Sequence, residues 1–219
     1  MTFLGQMLSA VPQLASGLLV TVQLTLAAAL VSFLFGHVVW WVRERPHRLL
    51  RGLGGLYVSL MRGTPSILQL FLLFFSLPLI GLGGKPMLAA VLALGLNSAA
   101  YVAEILRGSY RALASGQSEA SAALGMSRFE CWRHVLAPQA LRASLPALVN
   151  EFTLVLKTTP LASVIAVTEM TYAGQLIVAR TYEGTPVMVL VVLGYLLVCW
   201  PILFYVRRLE ARLMRGRGY

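Results

Sequence analysis

Long runs without a single formal charge constrain this chain more than any other feature. Residues 1 to 42, 63 to 84, 86 to 103 and 184 to 206 contain no Asp, Glu, Lys or Arg. A fifth stretch, 146 to 168, is as apolar and is broken only by Glu151 and Lys157. Roughly 20 apolar residues cross a bilayer as a helix, because every backbone polar group must be satisfied inside the segment. With 58% hydrophobic residues, 12% charged residues and no aspartate, the chain lies outside the range of soluble domains. The expectation is an all-α integral membrane protein, one domain over 1–219, with five transmembrane helices at about 14–41, 63–81, 86–108, 146–168 and 186–206.

A net charge of +10 would suit a nucleic-acid binder, but the basic residues sort by loop. Arg43, Arg45, Arg48, Arg51 and Arg62 follow the first span. Arg107, Arg111, Arg128, Arg133 and Arg142 separate the third and fourth, and Arg207, Arg208, Arg212, Arg215 and Arg217 close the chain. Lys85 and Arg180 alone fall on the other side. That asymmetry places the N-terminus outside and the C-terminus in the cytoplasm, and makes the basicity a matter of topology, with no nucleic acid implied. No Lys or Arg precedes the first run, so it is expected to be a retained span and not a cleaved signal peptide. Cys131 with Cys199, and His37, His47 and His134, have neither disulfide nor metal-ligand spacing.

Local patterns refine the spans. Trp40 and Trp41 end the first at the headgroup level. RERPHRLLRGLGGLYVSLM, residues 43–61, is a basic, glycine-rich connection expected along the inner surface. Thr64 and Pro65 are placed to open the second helix, threonine as cap and proline in the first turn. Gly95, Ala99 and Ala103 recur every four residues, a stripe on which another helix can approach closely in lipid. Asn97, Tyr101, Glu104 and Gly108 form a polar stripe beside it, and Glu104 can pair with Arg107 at the helix end. Pro138 and Pro146 divide a short surface segment from the fourth span. Residues 168–186 follow outside or along the outer rim, with Glu169 and Gln175 as candidate contacts there.

Residues 116–136 are a different kind of segment. The Ala-rich stretch 118–124 favours helix, and Gly125 stands where a left-handed cap would end it. Ser127 and Glu130 then match a capping box, and Pro138 is expected to stop the second helix after about ten residues. Leu124, Met126, Phe129 and Trp132 are more apolar than a solvated loop requires, so another surface should cover them.

Glu119-Ala120-Ser121-Ala122-Ala123-Leu124-Gly125 with Pro138 downstream resembles the EAA motif of permease subunits of binding-protein-dependent ABC importers, Ser121 replacing the second alanine. RGTPSILQLFLLFF (62–75), NSAAYVAEILRGSY (97–110), LAPQALRASLPALVNEF (136–152) and RRLEARL (207–213) extend the resemblance to the polar amino acid branch, over about residues 15–213. One departure is Lys157-Thr158-Thr159-Pro160-Leu161, where that branch usually reads K-D-T-S-L. The resemblance implies a type I ABC importer permease-like core in a bacterial inner membrane. It also implies a dimer with an identical or homologous permease, two ATP-binding subunits docked from the cytoplasm and an extracytoplasmic substrate-binding protein. ATP and Mg would be bound by the partner ATPase. This chain has no GxxxxGK[ST] sequence, so no cofactor and no catalytic residue is expected in it.

On that reading residues 116–136 are coupling helices, with Glu119, Ala120, Gly125, Met126 and Phe129 as the ATPase contacts. Polar groups at membrane depth mark a candidate substrate path: Gln69, Asn97, Glu151 and Lys157. Gln69 and Asn97 also suit hydrogen bonds between helices. Lys157 could neutralise a substrate carboxylate or pair with Glu151 or a partner's acid; six residues turn an ideal helix by about 240°, which makes the first pairing awkward. A self-contained secondary transporter or channel subunit, with Glu151 and Lys157 as an ion relay, is the alternative, although such a carrier has no use for a docking helix.

Overall fold

The computed structural model describes residues 3–113 and 115–215, and contains no strand among them; Arg217 of the basic tail lies outside them. Its helices are α1 (Phe3–Arg43), α2 (Arg48–Gly63), α3 (Ser66–Ser76), α4 (Pro86–Arg111), α5 (Ser115–Ala123), the single turn α6 (Arg128–Glu130), α7 (Ala137–Thr158), α8 (Met170–Thr181) and α9 (Gly184–Arg215). Three are long and apolar enough to cross a membrane, and up to five spans result if each of two bent helix pairs counts as one.

Helix α4 is the centre, and small side chains make it so. Ala89, Ala90, Ala93, Ala99, Ala100 and Ala103 are all buried. A Cβ on Gly95 would lie 2.8 Å from Val31 and 3.0 Å from the Ala28 carbonyl, and one on Gly36 would lie 2.6 Å from Val102. The expected stripe thus seats α1 backbone to backbone. Contacts advance together, Val31 on Gly95, Gly36 on Val102 and Arg43 on Glu104, so α1 and α4 are parallel. Helix α3 is antiparallel to α4, with Gln69 at Asn97 and Pro78 near Ala89. Helix α7 is antiparallel too, with Glu151 at Ser98 and Leu148 by Leu106. Thr159 meets Tyr195, which returns α9 along α7.

Three expectations are sharpened or corrected. First, residues 43–61, expected as a basic connection along the inner surface, are mostly helix: α2 starts at Arg48, and Gly54 and Val58 are buried. It meets α3 at a bend of 109°. Helix α3, 11 residues, with the 4-residue 3-10 turn Leu77–Ile80 reaches only about 24 Å, less than a hydrocarbon core. Second, Thr64 does not cap α3; its hydroxyl donates back to the Leu60 carbonyl at 2.8 Å, and Pro65 takes the cap position.

Third, Pro138 does not stop the helix. Residues Cys131–Leu136 form a π turn in which the Ala137 N–H donates to the Trp132 carbonyl, five residues back. Proline lacks an N–H, and its ring would crowd the carbonyl four residues earlier; the wider turn removes that conflict. Pro146 lies inside α7 as well. The chain therefore runs helically from Arg128 to Ile165, and residues 170–181 continue as α8 after a bend of 47°.

Candidate functional site

The elbow between α4 and α7 is fixed by local hydrogen bonds on both sides of its 124–127 corner. Gly125, at φ +75°, lets the Met126 N–H reach the Ser121 carbonyl (3.1 Å) and the Gly125 N–H reach the Ala122 carbonyl (3.0 Å). This is a Schellman closure of α5. The next residue starts the capping box: the Ser127 N–H donates to Glu130 Oε2 at 2.8 Å, and the Glu130 N–H donates to Ser127 Oγ at 3.3 Å. Two helix ends thus share a four-residue corner with no slack between them.

Glu119, Ala120, Gly125 and Phe129 are exposed and Met126 is half-buried, so all five expected contacts lie along one elbow. Leu124 is 81% exposed and Phe129 62%. Ser121, the departure from the motif, is buried and bonds the Gln117 carbonyl at 2.7 Å. Phe129 stacks on Trp132, and both line a cavity of about 400 Å³ with Trp40, Trp41 and Tyr110, which seats the elbow against α1 and α4. Those two helix ends are tied by ions. Glu104 pairs first with Arg43, 61 residues away, and with its expected partner Arg107 at 3.8 Å; Arg107 and Arg111 also meet Glu44 at 3.5 and 3.9 Å.

The Ser127 hydroxyl and N–H hold the Glu130 carboxyl below the usual carboxylate range. A lowered folded value stabilises the corner above the unfolded pKa, and that contribution is lost as pH falls through the folded value. Acidification below the carboxylate range should therefore speed amide exchange at Ser127 relative to the middle of α7. Equal slowing or no change in that ratio, read by hydrogen-exchange mass spectrometry, would remove the capping box from the account.

The structure brings three of the four substrate-path candidates together. The α2–α3 break frees the carbonyls of Met61 and Thr64, and such groups need partners where no water is at hand. Gln69 Nε2 donates to the Met61 carbonyl (2.9 Å), the Thr64 carbonyl (3.2 Å) and Thr64 Oγ1 (2.8 Å). Asn97 Nδ2 donates to the Met61 carbonyl (3.1 Å) and to Gln69 Oε1 (3.0 Å). Gln69 is accordingly occupied in repairing the backbone, and both Asn97 N–H groups are used.

Asn97, Ser98, Tyr101, Glu151 and Thr158 line a cleft of about 260 Å³ between α4 and α7. Ser32 donates to Ser98 (2.9 Å), which donates to Glu151 Oε1 (2.8 Å). Among the described residues no donor reaches Asn97 Oδ1 or the second Glu151 oxygen. Unused acceptors including a carboxylate match an ammonium group, which carries three donors and no acceptor. Lys157 is not in this cleft. It is exposed on another face of α7 and lines a separate cleft of about 380 Å³ with Tyr195, Cys199 and Trp200 of α9. No ion pair joins it to Glu151 among the described residues.

Glu169, expected as an outer contact, is fully buried instead. It accepts from the Thr171 and Tyr172 N–H groups (2.9 and 2.7 Å) and from the Tyr195 hydroxyl (2.7 Å), while Gln175 stays exposed. Asn150, not among the expected residues, is exposed on α7 seven residues before Lys157. The spacing 150, 154, 157 carried that signal.

A family model described as a binding-protein-dependent transport system inner membrane component matches residues 39–215. The chain is 34% identical over 206 residues to the glutamine transport system permease GlnP of Escherichia coli K12, covering 93% of this chain and 94% of that one. It is 39% identical over 191 residues to the nopaline permease NocM of Agrobacterium fabrum (81% and 78%). It is 35% identical over 209 residues to the L-cystine permease TcyB of Bacillus subtilis (93% and 88%). A crystal structure of an amino acid ABC transporter with histidines superposes with TM-score 0.90 at 32% identity, covering 97% of this chain and 99% of that one. The inward-facing MetNI methionine ABC transporter, at 22% identity, shares the fold with TM-score 0.74 over 90% and 95% of the two chains.

Proposed function

The chain belongs to the binding-protein-dependent transport system inner membrane components, and we infer from this that it is the membrane-spanning subunit of an ATP-driven amino acid importer. In our reading it lies in the inner membrane with five spans, N-terminus out and C-terminus in. The alternating directions of α1, α3, α4, α7 and α9 support that count, as do the arginines at the cytoplasmic ends. It pairs with an identical or homologous permease, takes ligand from an extracytoplasmic receptor and leaves ATP and Mg to two docked ATPases.

One observation carries the coupling: a doubly capped elbow holds Leu124 and Phe129 out into solvent beside Glu119. Two short helices joined at a corner without slack transmit a push that a slack loop would absorb. Closure of the ATPase dimer would then shift α4 and α7 together, a switch between packed arrangements. Between them the Glu151 cleft would open to one side and then the other, receiving the ammonium end of the cargo. A self-contained ion-driven carrier loses its support, since Glu151 and Lys157 form no relay.

Leu124→Asp tests this without disturbing the permease's own packing, because Leu124 touches little of it. Buried against an ATPase, the new carboxylate should weaken co-purification and reduce receptor-stimulated ATP hydrolysis by about tenfold or more; Glu119→Arg should act in the same direction. Unchanged co-purification and hydrolysis in both variants would refute the elbow as the docking element.

A further inference from the structure

Helix α2 has three faces, and packing within the chain occupies one of them. Gly54 and Val58 are buried there; a Cβ on Gly54 would lie 2.6 Å from Arg43 Cγ at the end of α1, and the Tyr57 hydroxyl donates to the Leu96 carbonyl of α4. Leu49, Leu53, Leu56 and Leu60, at three- and four-residue spacing, form a second stripe, and each is more than half exposed. Arg48, Gly52, Gly55, Ser59 and Arg62 form the third by the same spacing, with Arg51 at its edge. A Cβ on Gly52 or Gly55 would meet nothing within 4 Å, so bare backbone forms an open shelf beside Arg48 and Arg51.

Lipid chains can cover the leucines, but the arginines need a counter-charge that the chain does not supply. Residues 45–103 contain no acid. The two that flank them are engaged, Glu44 with Arg107 and Arg111 and Glu104 with Arg43 and Arg107. Arg45 and Arg62 lie over the rings of Trp41 and Tyr101, at 3.5 and 5.3 Å from the centroids. Arg48 and Arg51 are exposed and have no ion pair among the described residues. No side chain caps α2 at His47, which leaves the positive end of the helix next to them. A second copy of the chain, packed here about a two-fold axis, would bring the same arginines and again no acid. The surface therefore suits an occupant that is itself negative and carries hydrocarbon.

We propose that α2 docks an anionic phospholipid, its phosphate on the glycine shelf beside Arg48 and Arg51 and its acyl chains along Leu53, Leu56 and Leu60. The slope of the helix suits both ends of such a molecule. Gly54 lies against Arg43, which pairs with Glu104 of α4; seven residues on, the Met61 carbonyl accepts from Asn97, seven residues back along α4. Helix α2 thus descends from the arginine-rich end of the bundle toward its middle, with its charged first turn at the surface and its later leucines at hydrocarbon level. The planar fork of a guanidinium matches two phosphate oxygens at once, and basic residues beside a membrane-entering helix attract anionic headgroups. The docking is independent of which cargo the chain carries.

The test titrates the assembled transporter in detergent with phosphatidylglycerol, and separately with phosphatidylcholine, and reads bound lipid by native mass spectrometry. The wild type should prefer phosphatidylglycerol. Arg48→Gln with Arg51→Gln should weaken that binding about thirtyfold, equivalent to about 1 kcal/mol for each arginine, and leave phosphatidylcholine binding as it was. Gly52→Leu should also weaken phosphatidylglycerol binding, by filling the shelf; the open space there lets the variant fold. Arg207→Gln with Arg208→Gln, exposed near the end of α9, should change it little. Equal affinity of the wild type for the two lipids would overturn the proposal. A loss from the α9 pair as large as that from the α2 pair would do the same, since the arginines would then act as general charge and not as a seat. A change in the number of permease copies per complex in the α2 double variant would assign this surface to a second copy and overturn it as well.

Discussion

Gly36→Leu should prevent α1 from docking on α4 and leave little folded transporter in the membrane. The first atom of any side chain there would lie 2.6 Å from Val102 Cγ1, 2.7 Å from its Cβ and 3.0 Å from the Ala99 carbonyl oxygen. A branched side chain stiff at χ1 and a backbone oxygen cannot swing aside as the tip of a flexible chain could. The helices would have to separate, and the neighbouring contact of Gly95 on Val31 and the Ala28 carbonyl would open with them. Overpacking in a close-packed interface costs about 1–3 kcal/mol for small insertions and more when backbone must move, which exceeds what a marginally stable fold tolerates. The same replacement at Gly52 is the control, since nothing lies within 4 Å of a Cβ there. Fluorescence-detected size exclusion of detergent extracts should show a sharp peak for Gly52→Leu and aggregate or nothing for Gly36→Leu. Comparable peaks would mean that α1 is not held by this seam.

That seam was half legible in the sequence. Gly95, Ala99 and Ala103 announce one surface by their spacing, but nothing local says that Gly36 is its counterpart on a helix some sixty residues away. The elbow was legible in detail because both sides of its corner are closed by bonds no longer than five residues: a glycine that can adopt positive φ, then a serine and a glutamate in register. Where the outcome depended on partners distant in sequence, the expectation was incomplete or wrong. Glu104 has Arg107 one turn away, yet Arg43 reaches it first. Gln69 and Asn97 were recognisable as polar groups at depth, but their task became clear only with the α2–α3 break whose carbonyls they satisfy. Pro138 was read by its usual rule, and a single π turn set the rule aside. The polar stripe of α7 lay within reach, since Asn150, Lys157 and Thr158 share a face; a charged residue six positions away drew the reading to a pairwise question in place of a surface.

Glu169→Leu should be the most destabilising single change outside the α1–α4 seam. Glu169 is fully buried, and three donors converge on its carboxylate: the N–H groups of Thr171 and Tyr172, which begin α8, and the hydroxyl of Tyr195 on α9. The Met170 N–H, one residue on, goes to Thr21 Oγ1 of α1 at 3.0 Å. The junction of α1, α8 and α9 thus depends on a helix N-terminus whose free N–H groups have been assigned partners one by one. Leucine has nearly the same bulk but no acceptor, so the loss would come from orphaned donors and not from a cavity. The Tyr195 hydroxyl keeps Thr159 Oγ1 and Thr171 Oγ1 within reach at 3.2 and 3.3 Å; each donor left without a partner costs about 1–3 kcal/mol, so the two N–H groups amount to about 2 kcal/mol at the low end. Glu169→Gln keeps an acceptor for the cap and should lose much less. Tyr195→Phe removes one donor with its partner left two others, and should lose least. Thermal unfolding of the assembled transporter in detergent should rank the variants Leu, Gln and Phe from most to least destabilised. A Leu variant as stable as the Gln variant would mean that shape at this junction, and not the satisfaction of its donors, is what holds α8 in place.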